Sequence, residues 1–282
     1  MDDLRTKYSI RELCDALHCS RSGYYGWIAL GRPEFKHFDW TAAQRVKEIF
    51  EEDTTQGLER LQMNTKNAID KPLNLSLKRV YRIMKILNIH SITARKPKKY
   101  FRNNHHTIPN RLCRDFTTTG PNQKWSIDVT YIHTVEGTEY LCAIKDLYDK
   151  SIIAYQQSRF NDNPLVIQAL NQAIELVPYY QRECLILHSD QGSQFTSKEY
   201  IASLKEHKII HSVSAQGNCA DNVPIESWFS LLKCECIYLH RRITRYRAKE
   251  LVSNYISHYN HHRRQKKIKE LAPMVFRQLA LQ

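Results

Sequence analysis

The chain contains no long apolar run. Nowhere in its 282 residues is there a stretch near the roughly 18 apolar residues that a membrane-spanning helix requires. The N-terminus, Met-Asp-Asp-Leu-Arg-Thr-Lys-Tyr, also lacks the apolar segment of a secretory signal peptide. These absences predict a cytoplasmic protein that has no membrane partner.

Paired cysteine motifs are absent as well. Two of the cysteine clusters include a histidine, Cys14-His18-Cys19 and Cys234-Cys236-His240. Neither cluster has the CxxC-type spacing of a structural zinc site. Because cytosolic thiols stay reduced, the sequence predicts free cysteines and argues against a zinc centre.

Acidic residues are few compared with basic ones. The chain has 29 Asp and Glu against 42 Lys and Arg, a formal net charge of +13 and a pI of about 9.3. The segment 95–114 carries seven Lys or Arg and no acid, and 241–269 carries ten with one acid. Such blocks favour a polyanionic partner, above all nucleic acid. A solvated basic surface is the alternative.

The N-terminal residues 1–33 are typical of a small helix-turn-helix module. Ser9-Ile-Arg-Glu12 has the pattern of a capping box, which satisfies free amides at a helix start. Ser20 is placed to begin a second helix, and Arg21 would lie at its N-terminus, where recognition helices meet DNA. An ordinary helical hairpin explains the same pattern equally well.

Residues 34–92 predict a second helical module, and 93–116 predict a basic linker interrupted by two prolines. In the module, Ser76 starts a helix with an apolar stripe and a basic face. This face and the linker are expected to contact DNA phosphates. The predicted contacts are Arg79, Arg82, Lys98, Lys99 and Arg102.

From residue 117 to 258 the pattern changes to strands alternating with helices. Three strands with tight turns predict an antiparallel meander, and two short apolar strands follow, separated by helices. The order βββαβαβα predicts an α/β mixed sheet with helices packed on it. The predicted strands are 125–132, 138–145, 151–157, 185–188 and 209–213. A basic tail, 259–282, completes the chain.

Three acids occupy suggestive places on this scaffold. Asp128 is in the middle of the first strand, Asp190 ends the fourth, and Glu226 opens a helix, with thirty-five residues between the last two. Taken singly, each has an ordinary explanation: a polar strand face, a turn and the helix macrodipole. Together, carboxylates on separate elements predict a site for two Mg²⁺ or Mn²⁺ ions of the kind that supports phosphoryl transfer.

The segment before Glu226 is predicted to be mobile. Residues 214–220 include Gly217 and Asn218, and we expect poor order over 214–222 in the absence of DNA. Asp221 and Asn222 are interpreted as loop and cap residues that position the helix. Lys233 lies two turns, about 10 Å, beyond Glu226, a distance that suits a lysine gripping DNA.

Several motifs resemble one known family. They are Pro121-Asn-Gln-Lys-Trp-Ser-Ile-Asp128-Val-Thr-Tyr, His188-Ser-Asp190-Gln-Gly-Ser-Gln-Phe-Thr-Ser, Glu226-Ser-Trp-Phe with Lys233, and Tyr259-Asn-His-His-Arg-Arg-Gln265. Over nearly its whole length the chain resembles the second-frame products of the insertion-sequence-three family. These are bacterial DDE transposases with a retroviral-integrase-type core.

The resemblance implies an RNase H-like mixed five-stranded sheet with flanking helices, preceded by helical DNA-binding modules. It implies metal-dependent strand cleavage at element ends and strand transfer, with Asp128, Asp190 and Glu226 as catalytic metal ligands. Arg263 and Lys266 are added to the predicted DNA contacts. A non-catalytic regulator of the element and another RNase H-like nuclease are the alternatives.

The resemblance also implies partners and a location. The expected partners are double-stranded DNA, namely the terminal inverted repeats and a target, and at least one further copy of the chain. An upstream-frame helix-turn-helix protein, or a frameshift fusion to it, is a further expected partner. The expected location is the bacterial cytosol, in association with the nucleoid.

Overall fold

A computed structural model describes residues 7–29, 31, 38–93, 108–214 and 219–281. The chain divides into two compact units, Met1–Glu48 and Ile49–Gln282. Within the described ranges, no helix is long and apolar enough to cross a membrane.

The first unit contains two short helices with the predicted starts. Helix α1 spans Ile10–Ala16, and Ser9 and Glu12 form the reciprocal capping box. Helix α2 spans Arg21–Ala29, and the Ser20 hydroxyl accepts a hydrogen bond from the Gly23 amide at 3.0 Å. Both helix starts are therefore confirmed, because local capping chemistry determines them.

Three more helices precede the sheet. They are α3 (Trp40–Glu52), α4 (Leu58–Lys66) and α5 (Leu77–Ile86). Helix α3 runs across the boundary between the two units. In α5, Ser76 caps the helix through the Arg79 amide, and Val80 and Ile83 are buried, as the apolar stripe predicts.

Five strands form one mixed sheet. The first three are β1 (Lys124–Thr134), β2 (Gly137–Asp146) and β3 (Ile152–Ser158), and they pair as the predicted antiparallel meander. Strands β4 (Ile186–Ser189) and β5 (Ile210–Val213) are parallel to β1. The strand order is β3-β2-β1-β4-β5, so β1 is central.

Each face of the sheet is covered by helices. One face packs Trp125 and Ile127 of β1 against α6 (Asn163–Ile174) and α7 (Lys198–Glu206). The opposite face packs Ile132 against α8 (Val223–Glu235) and α9 (Arg245–His261). Because strand side chains alternate between faces, Asp128 shares the α8 side with Ile132.

The end of the chain is more ordered than a tail. Helix α9 has 17 residues, and α10 spans Pro273–Ala280. Part of the basic block 241–269 holds the fold together: Arg245 and Lys249 lie 3.5 and 3.4 Å from the carboxylate of buried Glu139 on β2. A count of charges along the chain would assign Arg245 and Lys249 to the protein surface, because their acidic partner Glu139 is far away in the sequence.

Candidate active site

Two neighbouring strands bring Asp128 and Asp190 together. Strands β1 and β4 pair in parallel up to Ser126 opposite His188. Asp128 and Asp190 each lie two residues beyond this last pair, so a continuation of the same register would put them at neighbouring positions. Adjacent strands are about 4.8 Å apart. The end of β4 therefore presents two carboxylates at neighbouring positions.

A tight turn holds the Asp190 carboxylate. Its Oδ1 accepts a hydrogen bond from the Gly192 amide at 2.9 Å, and a Cβ at Gly192 would lie only 3.0 Å from that oxygen. Burial raises the pKa of Asp190 above its ordinary value, against the lowering effect of the Gly192 hydrogen bond. A buried carboxylate with a raised pKa is one that a bound cation stabilises.

The buried side chain of Asn222 links the start of α8 to β1. The Asn222 side-chain oxygen accepts a hydrogen bond from the Ser126 hydroxyl, and its Nδ2 donates to the Ile127 carbonyl at 3.4 Å. Asn222 occupies the N-cap position of α8, as predicted, but its side chain makes no capping hydrogen bond to the helix. Its side chain is used on β1 instead, immediately before Asp128.

Asp221 forms the neighbouring part of this anchor. Its carboxylate is buried, accepts from Asn110 Nδ2 at 2.9 Å and pairs with Arg114 Nε at 2.8 Å. Ser214 is also buried, and its hydroxyl donates to the Ser189 carbonyl at 3.3 Å. The described ends of the segment predicted to be mobile are thus packed, and residues 215–218 lie outside the described residues.

Lys145 makes a further contact between the sheet and the start of α8. This buried lysine lies on β2 opposite Ser126 and donates to the Pro224 carbonyl, in the first turn of α8, at 3.0 Å. Burial lowers the pKa of Lys145 to about 7, and the nearby Lys150, Arg263 and Lys267 add to the lowering. Two side chains from adjacent strands therefore determine where α8 begins.

Glu226 lies in the first turn of this anchored helix. The helix begins at Val223, three residues earlier than the sequence predicts, because Pro224 is well suited to a first turn. Among the residues that the structure describes, no three His, Cys, Asp or Glu side chains form a group that could hold a metal ion. The structure thus aligns two aspartates and places Glu226 on the helix covering their face, without closing a ligand set.

The donors present fit a hard divalent cation. Carboxylate oxygens are the ligands that Mg²⁺ and Mn²⁺ prefer, and the raised pKa of Asp190 has burial as its cause. His188 is a poor candidate ligand because its ring nitrogens lie 2.9 and 3.1 Å from the hydroxyls of Ser212 and Ser214. These two hydrogen bonds hold the His188 ring in the interior of the fold.

The predicted DNA contacts fall into four groups. Lys233 is half-buried, with its ammonium 4.3 Å from the centre of the Tyr131 ring. Arg263 is used in an internal ion pair, because its guanidinium donates hydrogen bonds to both carboxylate oxygens of Glu235 at 3.0 and 2.9 Å. The exposed contacts are Arg21, Arg79, Arg82 and Lys266. Lys98, Lys99 and Arg102 lie outside the described residues.

Sequence comparison assigns the family. The integrase core domain profile matches residues 118–219, and a second integrase core domain profile matches 226–281. The chain is 34% identical to a putative transposase for insertion sequence element IS150 of Escherichia coli, covering 98% of this chain and 96% of that protein. The chain belongs to the insertion-sequence-three family of transposases.

Two other relatives have a similar identity over different shares of this chain. The transposase for insertion sequence IS3A of Escherichia coli is 33% identical, over 96% of this chain and 95% of its own length. A transposase-like protein of Haemophilus influenzae is 37% identical over 74% of this chain and 96% of its own length. The similarity thus includes the helical modules as well as the core.

A solved structure resembles the core. It is the HTLV-2 integrase catalytic core domain in complex with magnesium, with 16% identity and a TM-score of 0.45, covering 57% of this chain and 99% of that chain. The predicted mixed five-stranded sheet with flanking helices is confirmed, and the integrase core domain profile matches this part of the chain.

Proposed function

We propose that this chain is a DNA transposase that cuts strands at the ends of its element and transfers them to target DNA. The observation that carries the proposal is the parallel pairing of β1 and β4, whose last pair, Ser126 with His188, lies two residues before Asp128 and Asp190. Glu226 lies in the first turn of α8, on the helix that packs on this sheet. Water attacks the phosphorus and breaks its bond to the 3′ oxygen, which leaves a 3′-OH and a 5′-phosphate. That hydroxyl then attacks a phosphorus of the target strand and displaces the target's own 3′ oxygen, which leaves as a new 3′-OH.

Each part of the site has a distinct task. Asp128, Asp190 and Glu226 would hold two Mg²⁺ or Mn²⁺ ions, which when bound supply positive charge to the attacking and leaving oxygens. Asn222 and Lys145 fix the start of α8. The protein's own contribution is to hold these groups in place, because positioning accounts for much of phosphoryl-transfer catalysis.

A metal-dependence assay on DNA tests this function. Supercoiled plasmid carrying the element and its flanks is incubated with purified protein in Mg²⁺, Mn²⁺ or EDTA. We expect nicks with 3′-OH ends and joined products only with metal. Binding without any cleavage would indicate a regulator of the element, and preferential cutting of RNA–DNA hybrid would indicate a different nuclease of the same fold.

The partners follow from the same reaction. Two element ends must be held together during transfer, so the active species is proposed to contain at least two copies of the chain bound to double-stranded DNA. An upstream-frame helix-turn-helix protein, or its fusion to this chain, is proposed as a further partner. Light scattering on the complex with end DNA measures the number of copies, and a single copy would contradict the proposal.

Binding of DNA is expected to depend steeply on salt. Each phosphate contact should add about 0.9 to the slope of log K against log salt. Replacing both Arg79 and Arg82, exposed on α5, by Gln should therefore reduce the slope by about 1.8. Fluorescence anisotropy over a range of NaCl measures it.

Lys208 provides the matched control for this measurement. It is also exposed, but it pairs with Glu183 at 2.5 Å. Lys208→Gln should leave the slope unchanged. An equal slope for wild type and the α5 variant would contradict phosphate binding by that helix face.

Asn222→Ala is expected to reduce the cleavage rate by about 10- to 100-fold, since a displacement near 1 Å costs on that order. The variant loses both contacts with β1 but no proposed metal ligand, so DNA affinity should change little. Single-turnover cleavage and anisotropy separate the two quantities.

Ser126→Ala should reproduce part of this defect, because it removes one of the two contacts that Asn222 makes with β1. The double variant should be no slower than Asn222→Ala, since Ser126 acts through its contact with Asn222. Asn254→Ala, at an exposed position of α9, is the control. Additive losses in the double variant would mean that the two residues act separately.

A further inference from the structure

A basic and aromatic groove lies beyond the aligned acids. It has a volume of about 110 Å³, and no acidic residue lines it. Its polar and aromatic lining residues are Tyr131, His133, Lys233, Tyr238, His240 and Arg242. Aromatic rings beside cations, without acids, form the surface that nucleic-acid strands recognise.

The groove is open because β4 is short. Strand β4 pairs with β1 only from Lys124 to Ser126. In the described part of the chain, no strand continues along this edge of β1, and Tyr131 is 50% exposed. Its ring centre lies 5.1 Å from that of His133. Two neighbouring aromatic side chains, with their ring planes tilted by 53°, are thus exposed at the surface.

The groove is about equally far from Asp128 on β1 and from Glu226 on α8. Tyr131 is three residues beyond Asp128 along β1, so their Cα atoms are about 10 Å apart at strand spacing, and the Tyr131 side chain leaves the opposite face of the strand. Lys233 is seven residues beyond Glu226 along α8, also about 10 Å at helix spacing. The two side chains meet, with the Lys233 ammonium 4.3 Å from the Tyr131 ring centre. A strand leaving the reacting phosphate reaches the groove within about three base steps of about 3.4 Å.

We propose that this groove binds an unpaired nucleotide next to the reacting phosphate, with its base stacked on Tyr131 and its phosphate against Lys233 and Arg242. The site deepens the proposed function, on which it rests. A paired base is stacked between its neighbours and offers no free face, so the groove takes a strand that is locally single.

Relative strengths favour exchange at the Tyr131 ring. The cation–π contact of the half-buried Lys233 is worth about 2- to 30-fold in an equilibrium constant, depending on how far it is desolvated. Stacking of a base on an aromatic ring is worth about 5- to 150-fold. A base therefore displaces the ammonium from the ring, and the released Lys233 meets the phosphate of the same nucleotide.

The test compares two single strands by fluorescence anisotropy in EDTA. One is an oligothymidylate of about twelve nucleotides, within the usual range of strand-binding sites, and the other has the same length but abasic sugars. Wild type should bind the base-containing strand about 5- to 150-fold more tightly. Tyr131→Ala should bring this ratio close to one without weakening binding of the abasic strand, whereas Tyr131→Phe should keep it.

The control variants divide the contributions of base and phosphate. Arg242→Gln should weaken binding of both strands and leave their ratio unchanged. Tyr180→Ala removes a tyrosine that is 77% exposed elsewhere and should change neither. A ratio near one in wild type, or a ratio kept in Tyr131→Ala, would overturn the subsite.

The proposed function fails separately from the subsite. Strand binding in EDTA requires no chemistry, so a normal ratio without metal-dependent cleavage would refute the transposase and keep the subsite. Normal cleavage with a ratio of one would do the reverse.

Discussion

Asp190→Asn is expected to lower the rate of metal-dependent DNA cleavage at least about 10³-fold, because charge stabilisation by the bound metals is worth several kcal/mol. The substitution keeps the shape of the side chain, and its Oδ1 can still accept from the Gly192 amide. It removes only the negative charge. DNA affinity in EDTA should therefore stay within about threefold, since phosphates are held by cations elsewhere.

The same variant has a readout that needs no catalysis. Burial raises the pKa of Asp190, so its charge is costly without a cation, and the variant should be at least as stable as wild type in EDTA. A metal that binds the folded state adds about 2.7 kcal/mol at a hundred times its dissociation constant. Thermal unfolding with Mn²⁺ should show this gain for wild type alone, and an equal gain in the variant would place the metal elsewhere.

Glu226→Gln tests whether the third acid joins the two aspartates. Glu226 is on α8, and in the described residues the acids do not form a closed ligand group. We expect the variant to lose cleavage as severely as Asp190→Asn. Glu250→Gln, an exposed acid on α9 paired with Arg247 at 2.7 Å, should cleave normally. Cleavage by Glu226→Gln within tenfold of wild type would remove Glu226 from the catalytic set.

The sheet could be predicted from sequence because its signals are local. Alternating burial fixes the faces of β1, and the turn before β2 contains Gly137 at a φ of +110°, which suits glycine. The two sheet clusters then separate as the alternation requires. The positions of Asp128 and Asp190 follow from these strands, so the central pair of the candidate site was within reach of sequence alone.

The C-terminal helices were missed for a different reason. Helix α9 buries Ala248, Leu251, Val252 and Tyr255 at helical spacing, a signal that the basic block obscured. Arg263 has its partner Glu235 on α8, twenty-eight residues away. Neither pattern nor charge along the chain reveals such a pair. Basic residues were therefore assigned to DNA where the fold uses them internally.

The anchor of α8 shows the same limit. Asn222 precedes a helix, where an Asn normally caps, yet its amide bonds β1 across 95 residues of chain. Asp221 is likewise held by Arg114. Tertiary contacts override the local preference here. The start of α8 is consequently held to the sheet. Any change that assembles the metal site must therefore come from the side chains of the three acids.

Arg277→Met is expected to destabilise the fold by about 3–5 kcal/mol, the usual cost of leaving a buried charge without its partner. Arg277 of α10 is buried and donates to Asp146 at 3.0 Å and to Asp149 at 2.6 Å. Both aspartates are fully buried beside the β2–β3 turn. Methionine preserves much of the volume but leaves two carboxylates facing each other, so urea unfolding at pH 7 should show the loss.

The loss should shrink as the pH falls. Burial, and then the charge of Asp149, already raise the pKa of Asp146, and Arg277 counteracts them. Without the arginine that folded-state pKa rises further above its unfolded value. Stability from the protonated form is then present at low pH and lost as pH rises through the folded pKa. Unfolding measured between pH 7 and 5 should therefore narrow the difference between variant and wild type.

A matched arginine distinguishes this cause from simple loss of packing. Arg247 pairs with Glu250 at 2.7 Å, with both side chains nearly half exposed. Arg247→Met should cost less than about 1 kcal/mol, as exposed pairs do, with no added pH dependence. A pH-independent loss in Arg277→Met would mean that α10 is held by its apolar face. A loss of stability that becomes smaller as the pH falls would instead show that the buried acids require the arginine. Helix α10 would then be an integral part of the core.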